Sequence, residues 1–245
     1  MKIFRFHKSF NSVVIGLAES GNFIPPEIAN TMTQQAIDYR SANRHLITLC
    51  ECSQLRDTGL VATNVSPLVV DLTQPLPESP LDSDITALYH QTTPDEQVVY
   101  KDAEHQLQAS DHQLRRDTFY LPFFQKINTE LDRLTQKFGK ATLLMASCDG
   151  QLKDRTVRVA GDVSNHDFSD AIQAAKELKI EFEVTPSTGL SFIGPSIQFD
   201  SVTGCSLKIS PDCSLDGDNW SDQKADQLRE FLAELVGTFT ANPSG

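Results

Sequence analysis

The 245-residue chain is 39% hydrophobic and carries a formal net charge of -12. This length is enough to bury a full hydrophobic core, and we predict a single domain over residues 1–245. The negative charge argues against a nucleic-acid partner, and the apolar run Val13–Ala18 is too short to cross a bilayer, so we expect no membrane partner and a soluble cytoplasmic protein.

Strands and helices are predicted to alternate along the first half of the chain. Ser12–Ala18 is rich in β-branched residues and ends in polar residues and glycine, which favours a buried strand. Pro25–Glu27 is typical of the first turn of a helix, because proline is tolerated there and glutamate favours the positive end of the helix dipole. A second helix is predicted from Ala42 to Arg56. Two short strands follow, at Leu60–Ala62 and Leu68–Val70.

The second half continues the alternation. A polar helical stretch is predicted to open at Pro94 and to lead into an apolar stripe of helical period over Phe124–Phe138, with a kink or a fresh start at Pro122. Gly139 should end this helix, and Ala141–Ala146 should form a buried strand. Further strands are predicted at Val157–Ala160, Ile180–Val184, Phe192–Phe199 and Ser206–Ile209, and further helices at Phe168–Leu178 and Leu228–Phe239. This order predicts an α/β fold, with a mixed, mainly parallel central sheet and helices on both faces.

The cysteine pattern indicates neither a disulfide framework nor a zinc site. The five cysteines have no framework spacing, and no second Cys/His pair accompanies Cys50-Glu51-Cys52 at zinc-like spacing. We therefore expect reduced, partly buried thiols, as in a reducing cytoplasm.

Candidate sites lie in the turns where the strands end. Ligands of open α/β sheets bind beyond the carboxyl ends of the strands, which selects the turns after Ala18, Ala62 and Ala146. The first turn has glycines spaced as in a phosphate loop. Asn22–Phe23 follows Gly21 where such a loop requires Lys and Ser/Thr, so a nucleotide site is not expected.

Nucleophilic chemistry has little support from motifs. No G-x-S-x-G surrounds Ser20 or Ser147, and the six histidines are scattered without an H-E-x-x-H. Ser20, Ser147 or Cys148 would be a nucleophile only if the fold brought a histidine close.

Four stretches follow one another in the order of a known family: Val14–Ile28, Val61–Pro75, Tyr120–Phe124 and Leu143–Cys148. They resemble the N-formylglutamate deformylases, also called N-formylglutamate amidohydrolases. The first resembles an apolar strand followed by P-H-x-G, I-P and a helix, and the second resembles V-A-T-H-S-R-Y-V-x-D-L-N-R-P. The third and fourth are similar to Y-x-x-P-Y-H and L-L-x-A-H-S. The resemblance covers most of the chain.

The resemblance implies a carboxypeptidase-related, phosphorylase/hydrolase-like fold and metal-dependent cleavage of the formyl amide of N-formylglutamate. The histidine of P-H-x-G corresponds to Glu19, and D-T-D-W-H corresponds to Ser41–His45, which lacks both acids. The histidine of A-H-S corresponds to Ser147. Three good ligands are the usual catalytic minimum, and Asn43 and Ser147 are weak ones. No cofactor is expected, although Zn(II) would be expected if the family site is retained, with Glu19 as a possible ligand.

The residues that would bind the substrate are also missing in the same comparison. The arginines of S-R and N-R correspond to Pro67 or its neighbours and to Gln74, and G-G-Y-I-T-R-H-Y-G resembles Thr188–Gly194, which includes Gly189. The Q-x-E strand resembles Leu207–Ser210, without the glutamate. The joint loss of metal ligands, base and arginines indicates an inactive descendant, that is, a pseudoenzyme.

The leading hypothesis is an inactive family member whose former cleft binds a small acidic or acylated amino acid or a protein partner. The cleft residues would be Glu19, Ser20, Asn43, His45, Gln74, Ser147, Cys148 and Gly189. The alternative is a hydrolase of a C–N amide bond with a divergent site, either deformylase-type or cysteine-based, with Glu19, His45 and Cys148 as catalytic candidates. Each residue also has a structural interpretation: Asn43 as a helix cap, Ser147 as a strand-end hydrogen bonder, Cys148 as a buried thiol.

Overall fold

The structure is a computed structural model that describes residues 2–39, 42–76, 88–101, 109–186, 201–217 and 219–240. Within these residues the strands are β1 Phe4–His7, β2 Val13–Leu17, β3 Gly59–Thr63, β4 Ala141–Cys148, β5 Thr156–Gly161, β6 Glu181–Pro186, β7 Val202–Ile209, β8 Leu215–Asp216 and β9 Asn219–Trp220. The α-helices are α1 Pro26–Ala29, α2 Gln34–Asp38, α3 Leu46–Cys50, α4 Ala109–Arg115, α5 Leu121–Phe138, α6 Ser169–Glu177 and α7 Asp222–Phe239.

Seven of these strands form one sheet in the order β1-β3-β2-β4-β7-β5-β6. The pairs β3–β2, β2–β4, β4–β7 and β5–β6 are parallel, and β1–β3 and β7–β5 are antiparallel. The predicted mixed, mainly parallel sheet is thus confirmed. Because β3, β2, β4 and β7 run in the same direction, their carboxyl ends meet at one edge of the sheet.

Two apolar cores cover the two faces of the sheet, which confirms helices on both sides. Leu17 of β2 and Leu144 of β4 face the core that α3, α6 and α7 complete. Val14 of β2 and Leu143 of β4, each an odd number of residues from its partner on the same strand, face the core that α5, α1 and α2 complete. Side chains alternate between the faces of a strand, so a central strand that is buried on both faces becomes a continuous apolar run.

Helix α5 follows directly from a π-helical turn, Arg116–Tyr120, that continues α4. Pro122 lies in the first turn of α5, directly after the π-helical turn, so it marks a fresh start of the α-helix while the helical run continues through it. The helix ends at Gly139, which has a left-handed φ of 75° and donates its N–H to the carbonyl of Thr135. Glycine is favoured at this position because a Cβ would be strained there.

Several predicted elements differ from the structure. Ala42–Arg56 is not one helix: it forms a 3-10 turn, Ala42–His45, then the short α3, then a second 3-10 turn, Ser53–Leu55. Leu68–Val70 is fully buried but is not a strand, because it lies in a turn where Val69 donates to the carbonyl of Ser66. Phe192–Phe199 lies outside the described residues.

The region that opens at Pro94 also differs. Its described residues up to Lys101 form turns and isolated bridges, among them Thr92 with Val98, and the next helix in the described part of the chain is α4, Ala109–Arg115. Among the described residues, no helix is both long and apolar enough to cross a membrane.

Candidate functional site

A cavity of about 470 Å³ opens at the edge of the sheet where β2, β4 and β7 end. It is lined by Ala18, Glu19, Thr73, Gln74, Pro75, Met145, Ala146, Ser147, Ser206 and Lys208. This is the position at which open α/β sheets bind ligands, and the volume lies in the usual range of about 300–1,000 Å³ for small-molecule sites. The cavity is the candidate site.

Glu19 is the acidic group of this cavity and follows β2 by two residues. Its Oε2 lies 3.5 Å from Nδ2 of Asn43. Burial raises the pKa of Glu19 above its ordinary value, and the nearby charge of Asp71 raises it further. The charges of Lys208 and His90 act in the opposite direction. A carboxylate held in this way favours a ligand that supplies a proton or a positive charge.

Asn43 joins the 3-10 turn before α3 to the end of β4. The residue is buried, and its Oδ1 accepts a short hydrogen bond from the backbone N–H of Cys148. The other end of the same amide donates toward Glu19. Asn43 therefore positions Glu19 against β4.

Lys208 is the basic group of the cavity. It lies on β7 directly opposite Ser147 of β4 in the parallel register, and its Nζ donates to Oγ of Ser147 over 2.8 Å. Side chains two residues apart share a face of a strand, so Ser206 and Lys208 point to the same side of β7. An ammonium group is thus fixed within the cavity on a rigid sheet rather than on a loop.

The loop after β3 forms another wall and is fixed by Asp71. One carboxylate oxygen, Oδ1, accepts from the backbone N–H and the hydroxyl of Thr73 at 2.7 and 2.6 Å. The other, Oδ2, lies 3.2 Å from Nε2 of His90. The hydroxyl of Tyr120 donates to the carbonyl of Gln74 over 2.8 Å. These bonds place Thr73 and Gln74 in the cavity.

The Asp71–His90 pair should give the wall a pH-dependent stability. The hydrogen bond to Asp71 raises the pKa of His90 above 6.5, although burial opposes this. Burial alone would raise the pKa of Asp71, but the hydrogen bonds from His90 and Thr73 outweigh it and hold this pKa below 3.8. The contribution of His90 is therefore complete below pH 6.5 and lost as the pH rises through its folded pKa.

We expect His90→Gln to lose less than about 1 kcal/mol of stability at pH 6, because His90 is partly exposed, and almost nothing at pH 9. Urea unfolding of both proteins from pH 5 to pH 9 measures the difference. His166→Gln is the control, because burial lowers the pKa of His166. A difference for His90→Gln that grows with pH would contradict the assignment.

The remaining sequence candidates, Ser20, His45 and Cys148, are not among the described residues that line the cavity. Ser20 is buried, and its one hydroxyl proton is shared between the carbonyls of Thr63 and Leu17, at 3.0 and 3.3 Å. The ring of His45 packs on Trp220 with the centroids 5.4 Å apart. Cys148 packs against the core on the α3 side of β4, whereas Ser147 lines the cavity.

The structure thus brings Glu19, Asn43, Gln74 and Ser147 together, and it connects Cys148 to them through its backbone. Gly189 lies outside the described residues. All five cysteines are free thiols, and burial raises the pKa of Cys50, Cys205 and Cys213 to about 12, as expected of unreactive core residues.

The side chains at these positions do not fit a catalytic zinc ion. Zinc takes imidazole, thiolate or carboxylate ligands, and of Glu19, Asn43 and Ser147 only Glu19 offers one. The Asn43 oxygen is used by a backbone N–H, and the Ser147 hydroxyl accepts from an ammonium that would repel a dication. In the described part of the chain, no group of three His, Cys, Asp or Glu side chains is arranged to hold a metal ion.

The fold is shared with solved structures. N-formylglutamate amidohydrolase from Ralstonia eutropha JMP134 superposes with a TM-score of 0.68 over 96% of each chain at 14% identity. A gene product from Agrobacterium tumefaciens gives a TM-score of 0.64 over 97% of this chain and 94% of that chain, at 15% identity. At these identities the likeness establishes the fold alone, a mixed α/β sheet with helices on both faces.

Sequence comparison establishes the family. The model of the N-formylglutamate amidohydrolase family matches residues 11–176, and the chain belongs to that family. An N-formylglutamate deformylase from Pseudomonas putida is 24% identical over 145 residues, which are 58% of this chain and 53% of that protein. The match therefore spans about half the length of this relative. The resemblance inferred from the sequence motifs is confirmed.

Sequence reasoning missed the role of three residues. Lys208 appeared only as part of a strand that lacks the family's glutamate, and neither His90 nor Thr73 was selected. The available signal was weak: Lys208 stands between Leu207 and Ile209, so its side chain had to point away from the core that they face.

Proposed function

We propose that this family member binds a small acidic or acylated amino acid in the cavity and does not carry out metal-dependent deformylation. The observation that carries the proposal is the hydrogen bond from Lys208 to Ser147, because it places a fixed ammonium at a position where the family resemblance implies a metal ligand. The hydrogen bond from the Cys148 N–H to Asn43 supports it, since the side-chain oxygen at a second such position is already used by the protein.

The cavity suits a ligand of this size and polarity. Its volume of about 470 Å³ exceeds that of a single amino acid, and it exposes an acid, a base, Thr73 and Gln74 on rigid supports. A cytoplasmic location, where the five free thiols would remain reduced, belongs to the same proposal.

The experiment measures binding and turnover in the same samples. Protein as purified, protein treated with EDTA and protein supplied with Zn²⁺ are each mixed with N-formyl-L-glutamate. Thermal unfolding then reports binding, and a formate assay reports turnover. We expect a higher melting temperature and no formate in all three samples, because the donor set does not fit zinc.

The Pseudomonas putida deformylase serves as the positive control for formate release. Zinc-dependent formate release by this chain would overturn the proposal. The absence of any shift with N-formyl-L-glutamate, L-glutamate or glutarate would overturn the binding part.

A second function, metal-free hydrolysis of a C–N amide bond, is favoured by one observation. The pKa of Glu19 is raised by burial, and Asn43 orients its carboxylate, which are properties of a general base. Formate release that resists EDTA and disappears in Glu19→Gln would establish this function in place of simple binding.

A further inference from the structure

The cavity holds one acid and one base that are not paired with each other. Among the described residues, no ion pair within 4.0 Å includes Glu19 or Lys208. Both nevertheless line the same cavity, and the charge of Lys208 acts on the pKa of Glu19. The two opposite charges are therefore close enough to interact but are separated by space that a ligand can enter.

Each of the two groups has unused hydrogen-bonding capacity toward this space. The ammonium of Lys208 has three N–H donors, and the bond to Ser147 uses one of them. The carboxylate of Glu19 can accept about four hydrogen bonds, and the long contact from Asn43 supplies one. A partly buried charge with few partners gains most from a ligand group of the opposite charge.

We propose that the ligand is a free, zwitterionic amino acid, whose carboxylate binds Lys208 and whose ammonium group binds Glu19. This inference rests on the proposed function and narrows it, because an acylated amino acid has no ammonium to offer. An N-acyl group leaves one neutral N–H donor for Glu19, and a carboxamide leaves a neutral oxygen for Lys208. Each change replaces a charge-assisted hydrogen bond with a weaker one.

Lys208 and Glu19 are both held in place by the sheet and its neighbouring residues, which favours discrimination between zwitterionic amino acids and their analogues. Lys208 projects from β7 in the centre of the sheet, between β4 and β5, and Asn43 holds Glu19 against the end of β4. Groups fixed on rigid strands keep their separation, so a ligand must match both charges at once. Glutamate, alanine or another amino acid would share this pair of contacts, and the remaining lining would select the side chain.

The test is a set of calorimetric titrations with L-glutamate, N-formyl-L-glutamate and the α-amide L-isoglutamine. For the wild type we expect L-glutamate to bind about tenfold or more tightly than either analogue, because each analogue loses one charged contact. Glu19→Gln should abolish the preference against the N-formyl ligand and keep the preference against the α-amide. Lys208→Met should abolish the preference against the α-amide and keep the preference against the N-formyl ligand.

Lys126→Met, a lysine stacked on Phe6 away from the cavity, is the matched control and should bind like the wild type. If the wild type, Glu19→Gln and Lys208→Met all discriminate equally between L-glutamate and the two analogues, the inference is overturned while the proposed function stands. A wild type that prefers N-formyl-L-glutamate to L-glutamate would also overturn the inference and leave the proposed function standing. A wild type that binds none of the three ligands would overturn the proposed function and this inference together.

Discussion

Replacing Gly21 with alanine is expected to destabilise the protein by roughly 2–4 kcal/mol, because the added methyl group has no room. A Cβ at Gly21 would lie 2.2 Å from the carbonyl carbon of Asn64 and 2.4 Å from the backbone nitrogen of Val65. These are backbone atoms and cannot move aside as a flexible side chain would. The turns after β2 and β3 are also joined by the N–H of Phe23, which donates to the Asn64 carbonyl over 2.9 Å.

The effect should extend to the cavity, since Glu19 precedes Gly21 by two residues in the same turn. Urea unfolding measures the loss of stability, and titration with L-glutamate measures the loss of binding. Gly150→Ala is the control, because a Cβ there meets nothing within 4 Å, and it should stay within about 0.5 kcal/mol of the wild type. Equal unfolding midpoints for the two variants would show that the turns separate at little cost.

The second large effect is expected for Asn43→Ala, at about 1–3 kcal/mol. The substitution removes the acceptor of the Cys148 N–H and the donor to Glu19 in a buried place. Buried polar groups that lose a partner pay the cost of desolvation, and the Glu19 carboxylate also loses the group that orients it. Both unfolding free energy and L-glutamate affinity should therefore fall.

Asn43→Asp separates the two contributions. Aspartate can still accept from Cys148 but cannot donate to Glu19, and it places a second negative charge beside that carboxylate. We expect this variant to lose stability at pH 7 and to regain part of it as the pH falls toward 4, since protonation relieves the repulsion. A stability deficit that is the same at both pH values would argue that Asn43 and Glu19 do not interact.

The centre of the fold could be predicted from the sequence because burial leaves a clear pattern. Ala141–Ala146 and Ser12–Ala18 are apolar runs that are covered on both faces, and they became β4 and β2. The edge strand β1, Phe4–His7, was missed because charged residues interrupt its apolar ones and its side chains are only half buried. Leu68–Val70 shows the opposite error, since a buried loop can be as apolar as a strand.

The site was predictable only in part, for a different physical reason. The family motifs located Glu19, Asn43 and Ser147, each of which lies at the end of a recognisable element. The partner of Ser147 is 61 residues away, and only the β4–β7 register brings Lys208 opposite to it. A pairing register is a property of the assembled sheet, so the chain pattern around Lys208 could indicate a strand but not its neighbour.

The π-helical turn before α5 adds one residue to the helical run that leads from α4 into α5. A π turn holds one residue more than an α-helical turn, and each residue rotates an α-helix by about 100°. Without that extra residue, Arg115 would turn away from the Val69 carbonyl and the Tyr100 hydroxyl, to which it now donates at 3.1 Å. Tyr120, on the other side of the turn, would still reach Gln74. The extra residue thus lets Arg115, before the π turn, and Tyr120, after it, each face its own partner. An alignment with relatives that lack this residue should place a single-residue gap within Arg116–Tyr120.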